Sequence, residues 1–269
     1  MVIKLDHRAL LKVSGPDSEN FLQSQFSNDI KNIKDSHIQI NAYCQHQGKI
    51  IAIIWVFKRL DSYYLSLPLD LKDLVLSKLN MYKMMSNLQI DDFSLKVNQY
   101  GLIEEISDNS IKLTNNLSLL TTRETILNCD ATAEWEFACI KDKLAEINLN
   151  LSENFIPQAL NLDIDLRGVS FSKGCYPGQE VVARMHYLGK PKRRLFIFNS
   201  NTKVVVGDKL NVDNSCSLRS SGQVIRATKR DNLYYFLATF EVNQVQNKVF
   251  LNGDKDKLVK IIDEQKYLS

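Results

Sequence analysis

The sequence predicts an α+β protein that ends in a small antiparallel β-barrel. Over residues 1–188, segments of helical period alternate with short, hairpin-spaced strand patterns. Beyond Lys190 the helical period disappears, and short strand patterns follow one another between Gly, Asn and Asp turns. Between the two regimes lies a basic, proline-containing joint, "GKPKRR" at 189–194. We therefore expect a larger N-terminal region over 1–188, built of two subdomains, and a C-terminal barrel over 189–269.

Each element has its own signal. "ALLKV" (9–13) reads as a strand, and "SGPDSENFLQSQF" (14–26) as a helix capped by Ser14 and started by Pro16. In "HIQINAYC" (37–44), Ile38, Ile40, Ala42 and Cys44 alternate as in a half-buried strand. A turn at Gln47-Gly48 leads to "KIIAIIWVF" (49–57), whose unbroken apolar character suits a central strand covered on both faces. "SYYLSLP" (62–68) is its expected neighbour. Leu71, Leu74, Val75, Leu79 and Tyr82 then fall on one helical face. Short strand patterns occupy 91–127, and a helix is expected over 133–147 through Phe137, Ile140, Leu144 and Ile147. "RLFIFNS", "KVVVGDKL", "SSGQVIRATK", "NLYYFLATFE" and "KVFLNG" supply the barrel strands.

Composition excludes several classes. With 44% hydrophobic and 24% charged residues, wholesale disorder is not expected. The longest apolar run, Ile50–Phe57, is too short to span a bilayer, and Asp6, His7 and Arg8 interrupt any signal-peptide core. The five cysteines (Cys44, Cys129, Cys139, Cys175, Cys216) form no C-x-x-C pair, which argues for a reducing compartment and against a closed zinc or cluster site. A cytoplasmic monomer without a membrane partner is expected. The net charge of +3 does not announce a nucleic-acid binder, yet Lys173 to Arg194 holds six Lys or Arg against one Glu.

That segment contains "SFSKGCYPGQEVVARMHYLG" (170–189). Pro177 suits a first helical position, so Cys175 is expected at or just before a helix N-terminus, where free N–H groups and the dipole favour a thiolate. Lys173 adds a positive charge, and both effects lower a thiol pKa. Gly174 and Gly178 permit φ > 0 or close approach of a ligand. Local physics leaves open a second reading: a small buried hydrophobe in a tight turn. Glu180 in the first helical turn needs no function.

"KGCYPGQEVVAR" resembles the K-G-C-Y-x-G-Q-E signature of the YgfZ family of folate-binding proteins, formed here by Lys173, Gly174, Cys175, Tyr176, Gly178, Gln179 and Glu180. The flanking "FIPQALNLD" (155–163), "GPDSENFLQSQFSNDI" (15–30) and "QGK" (47–49) are similar as well. The resemblance is specific over 154–195, weaker over 5–50, and elsewhere one of arrangement only. It implies folate-binding domains like those of the aminomethyltransferase (T-protein) of the glycine cleavage system, then a β-barrel. It further implies tetrahydrofolate or a derivative as cofactor, iron–sulfur proteins or their assembly factors as partners, and Cys175 as the functional thiol.

In the methyl-group-transferring relatives an acidic pair follows the turn; aligned on Gly48, those positions are Ala52 and Ile53, which cannot move a proton. The resemblance places folate beside Trp135, with Arg8 where relatives carry an aromatic and Asp142 where they carry a glutamate nearby; Lys173 and Arg184 complete the expected contacts. Without it, Trp135 reads as a core residue. Cys44 and His46, two apart on a strand, are a weak metal pair. His186 follows the signature closely enough to approach Cys175. Arg184, Lys190, Lys192, Arg193 and Arg194 form a candidate basic rim. The expected function is a folate-binding accessory protein for iron–sulfur enzymes, including tRNA-modifying ones. The alternatives are a one-carbon transferase and an RNA-binding tRNA-modification factor. The last ranks third, because Leu188, Leu195 and Phe196 are the only apolar residues offered between 188 and 196 for base stacking.

Overall fold

The computed structural model describes residues 1–105, 107, 109–126, 130–164, 168–213 and 220–262. Cys129 and Cys216 lie outside them. The first sheet is antiparallel and five-stranded. Its members are β2 (Arg8–Ser14), β3 (Gln39–Cys44), β4 (Ile50–Arg59), β5 (Ser62–Pro68) and β6 (Gln89–Asp92), in the order β3-β4-β5-β2-β6. One face carries α1 (Ser18–Gln25) and α2 (Lys72–Tyr82). Between them lies a core of Leu11, Val13, Phe21, Leu22, Ile54, Val75 and Leu79. The other face, through Leu10, Ile53, Trp55 and Phe57, enters a second and larger core. β4 is thus buried on both sides, which is why its sequence is apolar without alternation.

That larger core is shared by three bodies. A four-stranded sheet has the order β1-β7-β9-β8, from β1 (Val2–Lys4), β7 (Asn98–Ile103), β8 (Ser110–Lys112) and β9 (Leu117–Thr122). Helix α3 (Thr132–Lys141) lies over it, with the Trp135 ring so close to Gly101 that a Cβ there would overlap the indole. The third body is a closed barrel of β10 (Arg193–Ser200), β11 (Lys209–Val212), β12 (Gly222–Arg230), β13 (Leu233–Glu241), β14 (Val249–Leu251) and β15 (Asp254–Ile261). Phe196, Phe198, Phe236 and Phe240 fill its interior, while Leu195, Ile225 and Leu237 face outward into the shared core. The last helix, α4 (Gln179–Leu188), precedes the barrel.

Three local expectations are corrected, and one strand is added. Helix α1 starts at Ser18, not near Ser14, because Ser14 still pairs in β2 and Gly15 turns at φ +121° against the Asn87 and Leu88 backbone. Helix α3 stops at Lys141 rather than 147. Lys143 adopts φ +53°, and Leu144 N–H and Lys143 N–H donate to Cys139 O and Ile140 O, a Schellman closure; Leu144 and Ile147 reach the core from beyond it. In "KVVVGDKL" only Lys209 and Leu210 are strand, because Gly207 turns at φ +97°. Strand β15, too charged to read as a core strand, closes the barrel by pairing Phe198 with Ile261 and Asn199 with Lys260.

A buried ionic bridge joins these bodies. Arg8 of β2 lies 3.5 Å over the Trp55 ring, donates from Nε and Nη2 to Ser66 Oγ and O at 2.9 Å each, and pairs with Glu146. Arg226 of β12 meets the other Glu146 oxygen at 3.2 Å and Glu136 of α3 at 3.5 Å. Burial alone would raise the Glu146 carboxyl; Arg8, Arg226 and His7 overcome it and hold it below its ordinary value. Burial lowers Arg8 to about 10 against the pull of Glu146. Burial raises Glu136.

Glu146→Gln leaves two buried guanidiniums short of a counter-charge and is expected to cost about 3–5 kcal/mol at neutral pH. A carboxyl held low stabilises above its unfolded pKa and loses that contribution as pH falls through its folded value. Urea unfolding at a series of pH values should therefore show the gap between wild type and variant narrowing below about pH 4.

Candidate functional site

The signature loop is built around two glycines that touch. Tyr176-Pro177-Gly178-Gln179 closes a type II turn, with Gln179 N–H donating to Tyr176 O at 3.1 Å and Gly178 at φ 84°, ψ −2°. Pro177 therefore occupies the second position of a turn and not the first of the helix; α4 begins at Gln179, four residues after Cys175. A Cβ on Gly178 would stand 2.7 Å from Gly48 Cα, and one on Gly48 (φ +75°) 3.3 Å from Gly178 O. The two motifs "QGK" and "PGQE" thus lock the β3–β4 turn against the entrance to α4. Gly174 is different: its φ is not left-handed, and a Cβ there would meet nothing within 4 Å.

Lys173 pins the loop to the end of α1. Its ammonium is buried and donates to Gln23 O and Phe26 O at 2.5 Å and to Asn28 O at 3.0 Å, closing carbonyls at and beyond the end of α1. Burial draws its pKa down to about 8, and three carbonyls are what an ammonium so placed requires. Tyr176 is buried beside Cys44, 5.3 Å under the Lys173 ammonium. Between these two anchors Cys175 is exposed, whereas Cys44 and Cys139 are buried and burial pushes each thiol up to about 12.

The segment 155–163 explains its own place beside the signature. Gln158 Nε2 donates to Val182 O of α4 at 2.7 Å. Asn161, left-handed at φ 56°, exchanges two hydrogen bonds with Leu195 of β10, and Asp163 pairs with Arg194 at 2.6 Å. It splices α4 to the barrel. Arg193 likewise engages Ser220 O and Glu241, so two members of the expected basic rim serve structure. Lys190 and Lys192, with Lys49, rim a cleft of about 440 Å³ floored by Phe155, Ile156 and Met185.

The residues expected around folate are not gathered on one open wall. Arg8 is consumed by the ionic bridge, and Asp142 accepts from Thr114 and Asn116, bracing the β8–β9 hairpin. Arg184 stands exposed on α4. Trp135 is wholly buried, its Nε1 without a hydrogen-bond partner among the described residues. His46 sits in an exposed turn while Cys44 is buried, so they do not share a face. Among the described residues no group of three or more His, Cys, Asp or Glu side chains could hold a metal. His186 stacks on Phe171, and no hydrogen bond joins it to Cys175 among the described residues. Ala52 and Ile53 are buried in β4.

Sequence reasoning missed an interior polar cluster. Among the described residues, His7 Nε2 and Gln99 Oε1, like Trp135 Nε1, are buried without hydrogen-bond partners; Gln99 Nε2 donates to Arg8 O, and Gln99 and Gly101 share the β7 face that Trp135 covers. Glu136, Glu146 and Arg226 border it. The available signal was a charge set among apolar neighbours, as in Ala145-Glu146-Ile147 and Ile225-Arg226-Ala227.

The fold defines the class. The chain is similar to the glycine cleavage system aminomethyltransferase T from Bartonella henselae, with a TM-score of 0.71 over 98% of this chain and 85% of that one at 12% identity. This is an aminomethyltransferase-T-like architecture of α+β bodies with a C-terminal barrel. By sequence, the chain belongs to the YgfZ family. It is 30% identical over 268 residues to the tRNA-modifying protein YgfZ of Vibrio atlanticus (88% of this chain, 80% of that one). It is 29% identical over 266 residues to that of Aliivibrio fischeri (87% and 82%). An uncharacterized protein of Haemophilus influenzae is 30% identical over 267 residues, covering 94% of each. No protein-family profile matches the chain.

Brief alkylation of the native protein followed by peptide mass mapping should label Cys175 and spare Cys44 and Cys139, which become reactive only on unfolding.

Proposed function

We propose that the chain is a YgfZ-type accessory protein of tRNA modification, acting in the cytoplasm as a monomer in support of iron–sulfur enzymes, with Cys175 as its working thiol. The observation that carries this reading is the contrast within one loop. Lys173, Tyr176 and Gly178 are each locked into the body, and between them Gly174 and Cys175 stand open to solvent. A loop held so rigidly, exposing a thiol beside a residue without a side chain, suits the close approach of a partner's backbone or a partner-borne group. The relatives' name supports the tRNA connection. Ala52 and Ile53 offer no group to shuttle a proton, which favours presentation over transferase chemistry. The N-terminal region, residues 1–188, carries the thiol and most of the interior cluster; the barrel over 189–269 braces both.

A reduced folate belongs to the same reading, and the interior cluster fits it by chemistry. A pterin edge mixes amide and amino donors with ring-nitrogen acceptors, and Glu136, Glu146, Gln99 Oε1, His7 Nε2 and Trp135 Nε1 answer both kinds. Arg8 orients Glu146 and does not itself meet the ligand. When bound, a folate supplies a one-carbon carrier; the residues here bind and orient it. No membrane partner enters this reading, and no helix among the described residues is long and apolar enough to cross a membrane.

Cys175→Ala should leave the melting temperature unchanged while lowering the activity of iron–sulfur enzymes that modify tRNA in cells lacking the wild-type chain. Full complementation by the variant sinks the role of the thiol. Tetrahydrofolate should quench intrinsic fluorescence saturably, and by less in Trp135→Phe, since Trp55 is the other tryptophan. Absence of any response at millimolar ligand overturns the folate assignment and leaves the thiol reading standing.

A further inference from the structure

The outer face of α4 carries a group of rings that the sequence hides. Phe171, from the loop before the signature, stacks on His186 with centroids 3.7 Å apart and planes 12° from parallel. Tyr187 stands edge-on to both, at 6.1 and 4.9 Å. Phe171 is partly buried against the larger core, whereas His186 is exposed, Tyr187 is 66% exposed and the neighbouring Leu188 85%. Arg184 lies on the same helix, and Lys190 and Lys192 follow its C-terminal end, where they also rim the cleft floored by Phe155 and Met185. All three are exposed, and no hydrogen bond or ion pair engages their side chains among the described residues. The single acidic residue of α4, Glu180, lies toward its other end, in the first turn.

We propose that this face binds single-stranded RNA. One base extends the Phe171–His186 stack on the open side of the imidazole, a second packs on Tyr187, and Arg184, Lys190 and Lys192 take the intervening phosphates. Exposed flat rings beside unpaired cations are the recognition elements of unpaired nucleotides, whose π-faces any aromatic platform can meet. An acidic protein segment would use the cations and leave the ring stack without a purpose. The inference rests on the α4 face alone and is independent of the role given to Cys175.

The test is fluorescence anisotropy with the whole protein and a labelled single-stranded RNA of about ten nucleotides at about 50 mM salt. Saturable binding is expected. His186→Ala with Tyr187→Ala should weaken it roughly 5- to 150-fold for each base that loses its stack. His186→Phe with Tyr187→Phe, which keeps the ring faces, should restore it and so separates lost stacking from a disturbed helix. Lys190→Ala with Lys192→Ala should flatten the slope of log K against log salt by about 1.4. Cys175→Ala should bind as wild type does. Absence of binding, binding indifferent to the ring and lysine variants, or equal affinity for an acidic peptide overturns the proposal; the last result marks a protein-docking face instead.

Discussion

Glu146 is one carboxylate shared by two buried guanidiniums, and the bodies of the molecule meet around it. Arg8 brings the five-stranded sheet, Arg226 brings the barrel, and Glu136 of α3 completes the charge balance. Charges placed so deep are tolerated only when paired and hydrogen-bonded, so the positions of three elements are fixed together. Trp55 lies beneath Arg8, and Trp135, which covers Gly101, is the chain neighbour of Glu136, so the junction is both the mechanical centre and a border of the interior polar cluster.

From that junction the signature loop inherits its rigidity. β4 runs through the sheet from the Gly48 turn, and Gly48 is where Gly178 docks. Lys173 fastens the other end of the loop to the end of α1. Two separate stretches of sequence therefore converge to hold six residues still, and the thiol among them is left outside. The segment 155–163 extends the same fixation into the barrel through Gln158, Asn161 and Asp163. Most of the signature's chemistry is thus spent on posture. Lysine is there to satisfy carbonyls, tyrosine to fill space beside Cys44, and the second glycine to permit contact.

Much of the fold was legible because burial leaves a period in the sequence. The unbroken apolar run of β4, the alternation of β3 and the strand spacing after Lys190 each stated which faces would be covered. What escaped depended on partners distant in the chain. β15 reads as a charged strand because its outward residues are Lys and Asp, and only its pairing with β10 shows that it closes a barrel. The end of α3 at Lys141 was hidden because Leu144 and Ile147 keep a helical spacing while the backbone has already turned at Lys143.

Residue chemistry and local periodicity were enough to establish that Cys175 sits in a conformationally special loop, that Ala52 and Ile53 cannot move protons, and that a barrel follows the basic joint. The use to which each charge is put emerges only in three dimensions. Lys173, Arg8, Arg193, Arg194 and Asp142 all read as candidate ligand contacts, yet each is neutralised or hydrogen-bonded by groups far away in sequence. Conversely, Lys190 and Lys192 stay unpaired among the described residues, and Phe171 finds His186 across the loop. Whether a polar side chain is spent or available is a property of its spatial neighbours, and one chain of letters does not contain their distances.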